Sequence, residues 1–132
     1  MPKDISRRRA IAATAALAAV AKPLSANAGD KATALYGLIG QMIAVPGGRD
    51  ALSAILLDGT RDMPGCLSYV IADDVANPDA LWITEVWKSK ADHGASLNLP
   101  SVQAAIAKGR PLIAGFGTRT ETTPVGGWGL AS

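Results

Sequence analysis

The chemistry available to this chain is concentrated in the stretch Leu81–Ile106, where a carboxylate, an indole and the only histidine stand close together as Glu85, Trp87 and His93. Within Leu81–Trp87 the even spacing sets Leu81, Ile83, Glu85 and Trp87 on one face and Trp82, Thr84, Val86 and Lys88 on the other. Glu85 therefore lies among apolar neighbours, where a charge is costly unless it is paired or hydrogen-bonded. It is either a buried polar anchor or a reactive group. Directly after the strand, Ser89-Lys90-Ala91-Asp92 has the form of a capping box with Asp in place of Glu, which starts a helix at Ser89. The first turn of that helix carries His93, so that Trp87 and His93 can share a pocket. Ser96 and Leu97 follow one turn later, before Asn98-Leu99-Pro100 breaks the helix. Cys66, the only cysteine, cannot form an intrachain disulfide and reads as a small apolar strand residue rather than a nucleophile. One His and one Cys cannot build a His/Cys zinc centre, and no protein-held metal is expected.

The elements that must position these side chains follow from periodicity. Leu35–Val45 reads as a strand ended by the turn Pro46-Gly47-Gly48. Leu52, Ile55, Leu56 and Gly59 then recur at helical spacing, with Asp58, Arg61 and Asp62 toward solvent, until Met63-Pro64-Gly65 stops the helix. Cys66–Ala72 alternates as a second strand with Leu67, Tyr69 and Ile71 on one face. Asp73–Asp79 is a hairpin loop into the Leu81 strand. A helix beginning near Ser101 places Val102, Ala105 and Ile106 inward and ends at Gly109. Arg110–Gly115 reads as a tight apolar connection and Phe116–Thr123 as the fourth strand. The order is the βαββαβ pattern of an α+β, ferredoxin-like fold: a four-stranded antiparallel sheet with helices on one face. The other face is then bare, and the expected remedy is a homodimer with the sheets packed face to face. The Pro124–Leu130 tail, with Trp128 as its anchor, is expected to lie along the interface.

The chain has 132 residues, enough for one ordinary domain. Its beginning reads as a leader: Lys3, Arg7, Arg8 and Arg9, then the uncharged Ala-rich Ala10–Ala21, then Ala26-Asn27-Ala28 as a cleavage site. That apolar run of about 12 residues is short of the roughly 20 that span a bilayer, so no lasting membrane anchor is expected. Ser6-Arg7-Arg8-Arg9-Ala10-Ile11 has the form of a twin-arginine signal. The expectation is export to the periplasm, cleavage after Ala28 and a single mature domain over 29–132. Cleavage removes Lys3, Arg7, Arg8, Arg9 and Lys22 against Asp4 alone, leaving eight basic and ten acidic residues. The mature domain is mildly acidic, and no basic patch suggests nucleic acid.

With that order in place, several stretches carry a family resemblance. They are Tyr36–Val45 followed by Pro-Gly, Met63-Pro64-Gly65-Cys66 opening the second strand, Glu85-x-Trp87 closing the third, His93 with Ser96-Leu97, and Gly109-Arg110-Pro111-Leu112. Together they resemble the antibiotic biosynthesis monooxygenase domain, and within it the small quinol monooxygenases, over about Leu35 to Leu130. The resemblance implies a dimeric α+β barrel that oxidises a quinol, phenolic or polycyclic aromatic compound with O₂, without metal, flavin or haem. Such a reaction draws its electrons from the substrate and asks the protein for an apolar pocket, a proton acceptor and donors to a developing anion. On that reading His93 is the base and Trp87 stands beside it. Trp87, Tyr69 and Leu97 serve as walls; Ser96, Asn98 or Tyr69 serve as donors; Glu85 completes the binding site. Haem degradation, which in the family uses a later histidine, is disfavoured because Ser96–Gly109 contains none. Two other readings stay open: a non-catalytic binder of a small aromatic ligand, and an isomerase or decarboxylase on the same barrel.

Overall fold

The computed structural model describes residues 34–130; the leader read at 1–28 lies outside the described residues. The elements are β1 (Tyr36–Ala44), α1 (Arg49–Gly59), β2 (Cys66–Asp73), β3 (Ala80–Trp87), α2 (Lys90–Ser96), α3 (Pro100–Gly109), a 3₁₀ turn (Arg110–Leu112) and β4 (Ile113–Thr122). The four strands form one antiparallel sheet in the order β2-β3-β1-β4. This is the ferredoxin-like α+β fold expected from the element order.

The strand alternation of β3 holds as read: Leu81, Ile83, Glu85 and Trp87 are all buried. They meet the apolar stripe of α1 and α3 in two adjoining clusters. One is built on Tyr36, Leu38, Met63, Trp87 and Val102; the other on Ala44, Leu52, Leu81 and Ile83. The two helices approach closely at Gly59, where an added Cβ would collide with the Cβ of Ala105. The turns at Gly47 and Gly65 require glycine, since both residues have a left-handed backbone, φ 77° and 82°. The Ser89 half of the capping box forms: Ser89 Oγ accepts from Asp92 N at 3.1 Å and starts α2.

The β2–β3 loop is locked by charge. Asp74 accepts hydrogen bonds from Trp82 Nε1 at 2.8 Å, from Gln41 Nε2 at 3.0 Å and from the amides of Ala76 and Asn77. The half-buried guanidinium of Arg49 reaches the carbonyls of Asp74, Asn77 and Ala80 through Nη1. Its Nε stands 3.3 Å from Asp73 Oδ1, an ion-pair distance without hydrogen-bond alignment.

Two expectations are corrected. The fourth strand begins at Ile113, not Phe116, because the backbones of Ile113 and Gly115 pair with Ala44 and Ile43; a strand ladder uses main-chain groups that glycine supplies as well as any residue. The connection after α3 is therefore only the 3₁₀ turn. In β2 the pairing slips between Cys66 and Ser68, so Cys66 faces Trp87 while Tyr69 faces Glu85. This bulge takes Leu67 out of the alternation and puts Cys66 beside Tyr69 on the helix-covered side.

Candidate functional site

The site is built at the centre of β1 and β3 on the helix-covered face. Leu38, Gly40 and Met42 of β1 stand opposite Glu85, Ile83 and Leu81 of β3. Gly40 leaves a gap there: a Cβ at this position would find nothing nearer than Thr118 O at 4.0 Å. The gap belongs to a cavity of about 360 Å³ lined by Leu38, Gly40, Met42, Ile83, Phe116 and two charged groups, Glu85 and Arg119. Phe116 and Arg119 are three residues apart, which on an even strand would put them on opposite faces. A register shift in β4 opposite Gly40 and Met42 pairs Arg119 with Gly40 and Phe116 with Met42. The bulge brings both side chains to the cavity.

Behind the cavity wall, Glu85 is held by Trp87, whose Nε1 donates to Glu85 Oε1 at 3.0 Å. His93 Nε2 lies 3.8 Å from the same oxygen, too long for a hydrogen bond. The imidazole is wedged between two rings, Tyr36 at 5.3 Å and Trp87 at 5.4 Å, the latter edge-on at 77°. Burial pushes the Glu85 carboxyl above its ordinary range, with the Trp87 hydrogen bond and Arg119 pulling the other way. Burial also pushes His93 below 6.5, helped by the cations Arg119 and Lys90 and opposed by Glu121. Both shifts favour the neutral forms: they make the Glu85 carboxylate a stronger proton acceptor than a free glutamate and leave the His93 imidazole unprotonated at neutral pH. Burial dominates the raised pKa of Tyr69, with the Glu85 and Cys66 charges adding to it, so Tyr69 stays a phenol and a donor.

A polar rim surrounds His93. Lys90 Nζ pairs with Glu121 Oε2 at 3.1 Å and stands 5.7 Å over the Tyr36 ring. The Tyr36 hydroxyl donates to Glu121, which, with burial as the larger cause, raises the tyrosine, while that bond and Lys90 lower the glutamate.

Of the residues read from the sequence, the structure brings Glu85, Trp87, His93 and Tyr69 together. Only Glu85 lines the cavity; Trp87 is fully buried behind it and Tyr69 packs beside Glu85 in the core. Ser96, Leu97 and Asn98 are not brought to it. The Ser96 hydroxyl is spent on the His93 carbonyl at 2.6 Å, and Leu97 and Asn98 are exposed in the α2–α3 turn. Sequence reasoning missed Tyr36, Gly40, Arg119 and Glu121. For Arg119 and Glu121 a signal existed, since their spacing of two in a strand puts them on one face; for Gly40 none did. Among the described residues no three His, Cys, Asp or Glu side chains come together as a metal site.

A family model described as antibiotic biosynthesis monooxygenase matches residues 35–108. Among solved structures, a protein from Chloroflexus aurantiacus provisionally assigned as an antibiotic biosynthesis monooxygenase is 64% identical. The match covers 74% of this chain and 99% of that one, with a TM-score of 0.72. A provisionally assigned counterpart from Caulobacter crescentus is 18% identical over 71% of this chain and 92% of its own, with a TM-score of 0.65. Rv0793 from Mycobacterium tuberculosis is 21% identical over 71% and 98%, with a TM-score of 0.60. These last two share the fold. Among curated proteins nothing matches.

Proposed function

Because the chain belongs to the antibiotic biosynthesis monooxygenase family, we propose that it is an exported monooxygenase that oxidises a quinol or phenolic small molecule with O₂ and takes the electrons from the substrate itself. The observation that carries this reading is the Glu85–His93 pair behind a largely apolar cavity that also holds Arg119. A substrate ring lies against Leu38, Ile83, Met42 and Phe116 with its hydroxyl toward Glu85 and Arg119. The hydroxyl proton passes to the Glu85 carboxylate and on to neutral His93, while the Arg119 guanidinium stabilises the aryloxide. The electron-rich ring carbon forms a bond to O₂, and the O–O bond then breaks. One oxygen stays on the ring as a carbonyl; the other leaves as water with the two hydrogens the substrate has lost. Trp87 is a positioning residue, since it holds Glu85 without reaching the cavity.

The leader supports export to the periplasm by the twin-arginine route, with the mature chain starting at Gly29. The bare sheet face, where Val70 is 52% exposed, and the exposed Val125 and Trp128 of the tail support a homodimer with sheets face to face and tails along the interface.

The test is oxygen uptake by metal-stripped, leader-free protein supplied with reduced benzoquinones and naphthoquinones. Uptake above autoxidation should fall about tenfold or more in Glu85→Gln and His93→Ala, the loss typical of removing a proton acceptor. Tight binding without uptake would instead identify a non-catalytic aromatic-ligand carrier. Turnover that persists without O₂ would point to an isomerase or decarboxylase.

A further inference from the structure

A second cavity, of about 600 Å³, opens between α1, α3 and the beginning of β4, with Leu52, Leu56, Ile106 and Ile113 among its walls. It adjoins the first, because Met42 and Phe116 line both. These two residues face each other across β1 and β4. Phe116 is 71% exposed, an unusual state for a large aromatic side chain unless something covers it.

The two cavities differ in chemistry. The smaller offers a carboxyl, a guanidinium and ring-sized apolar walls; the larger offers mainly aliphatic side chains, with Arg110 as its one charged lining residue. At about 360 Å³ the smaller lies near the low end of the roughly 300–1,000 Å³ of small-molecule sites. It suits a head of one or two rings. An occupant of both must be polar and hydroxylated at one end and aliphatic at the other, and its apolar part would cover Phe116 on the way through.

We propose that the two cavities form one bipartite site whose substrate is a phenol or quinol ring bearing an aliphatic tail, the tail running past Phe116 into the groove between α1 and α3. This rests on the reading of the Glu85–Arg119 cavity as the ring site. The driving force for the tail is removal of its methylene groups from water, which accumulates with length.

The experiment measures binding without turnover. Calorimetric titration of the leader-free protein compares an oxidised methylated benzoquinone with the same ring carrying a roughly ten-carbon alkyl tail, and the ratio of the two affinities is the readout. In the unaltered protein the tail should tighten binding by about tenfold or more. Ala114→Leu, at an exposed residue lining the groove, and Ile106→Phe should each bring the ratio close to one, with melting curves showing that both variants fold. A ratio near one in the unaltered protein, or one that persists in both folded variants, overturns the proposal. Failure of the oxidation reading is distinguishable: it would abolish oxygen uptake and leave the affinity ratio intact.

Discussion

Trp87→Phe separates packing from electrostatics at the site. The indole is fully buried and its Nε1 is the donor that holds Glu85 Oε1 at 3.0 Å. Phenylalanine keeps an aromatic ring but removes that donor and part of the buried volume. The lost hydrogen bond costs about 1–3 kcal/mol and the lost volume about another 1 kcal/mol or more. Together they should lower the melting temperature of a domain of this size by roughly 10–20 °C. The diagnostic feature is how this cost changes with pH. Burial raises the folded-state pKa of Glu85 above 4.5, and the indole hydrogen bond partly offsets it. For a carboxyl whose folded pKa is raised, stability is lost as pH rises from the unfolded value through the folded one. Removing the indole donor raises the folded pKa further, so the variant must lose more stability over that rise than the parent does. The melting-temperature gap should therefore widen as pH rises above the ordinary glutamate value of 4.5, and the acid limb of oxygen uptake should move to higher pH. In a Glu85→Gln background the gap should become independent of pH. A gap that is constant with pH in the parent background would refute the claim that Trp87 acts through the Glu85 charge.

Three further outcomes are expected. Gly40→Leu fills the space between Leu38, Ile83 and Arg119; Gly40 does not need a left-handed backbone, so the variant should fold, bind no quinone by calorimetry and show no uptake. Burial holds His93 below 6.5, so its imidazole resonances, followed by NMR across pH, should titrate below that value; a midpoint above 6.5 would contradict the burial argument. Gly59→Ala adds helix propensity yet places a methyl against Ala105; overpacking should win and cost about 1–3 kcal/mol in denaturant unfolding.

Much of the architecture was legible because it rests on local rules. Periodicity in β3 put Leu81, Ile83, Glu85 and Trp87 on one buried face, Ser89 marked the start of α2, and the turn glycines fell where the backbone must turn left-handed. The closeness of Glu85, Trp87 and His93 was also legible, since a strand, a cap and one helical turn fix it within nine residues. Ser96, Leu97 and Asn98 were drawn into the site by that same nearness along the chain. Their side chains were settled by other contacts: Ser96 is buried but spends its hydroxyl on the His93 carbonyl, and Leu97 and Asn98 lie past the end of α2 in an exposed turn.

The sequence by itself therefore determined the fold class and the buried acid with its indole and imidazole neighbours. Only the tertiary structure decided what faces that acid. The β4 bulge that turns Phe116 and Arg119 to the same side, the empty place left by Gly40, and the joining of two cavities at Met42 and Phe116 all depend on pairing between strands distant in sequence. A one-residue slip in that pairing reverses every side chain beyond it, and no pattern within a single strand records the slip.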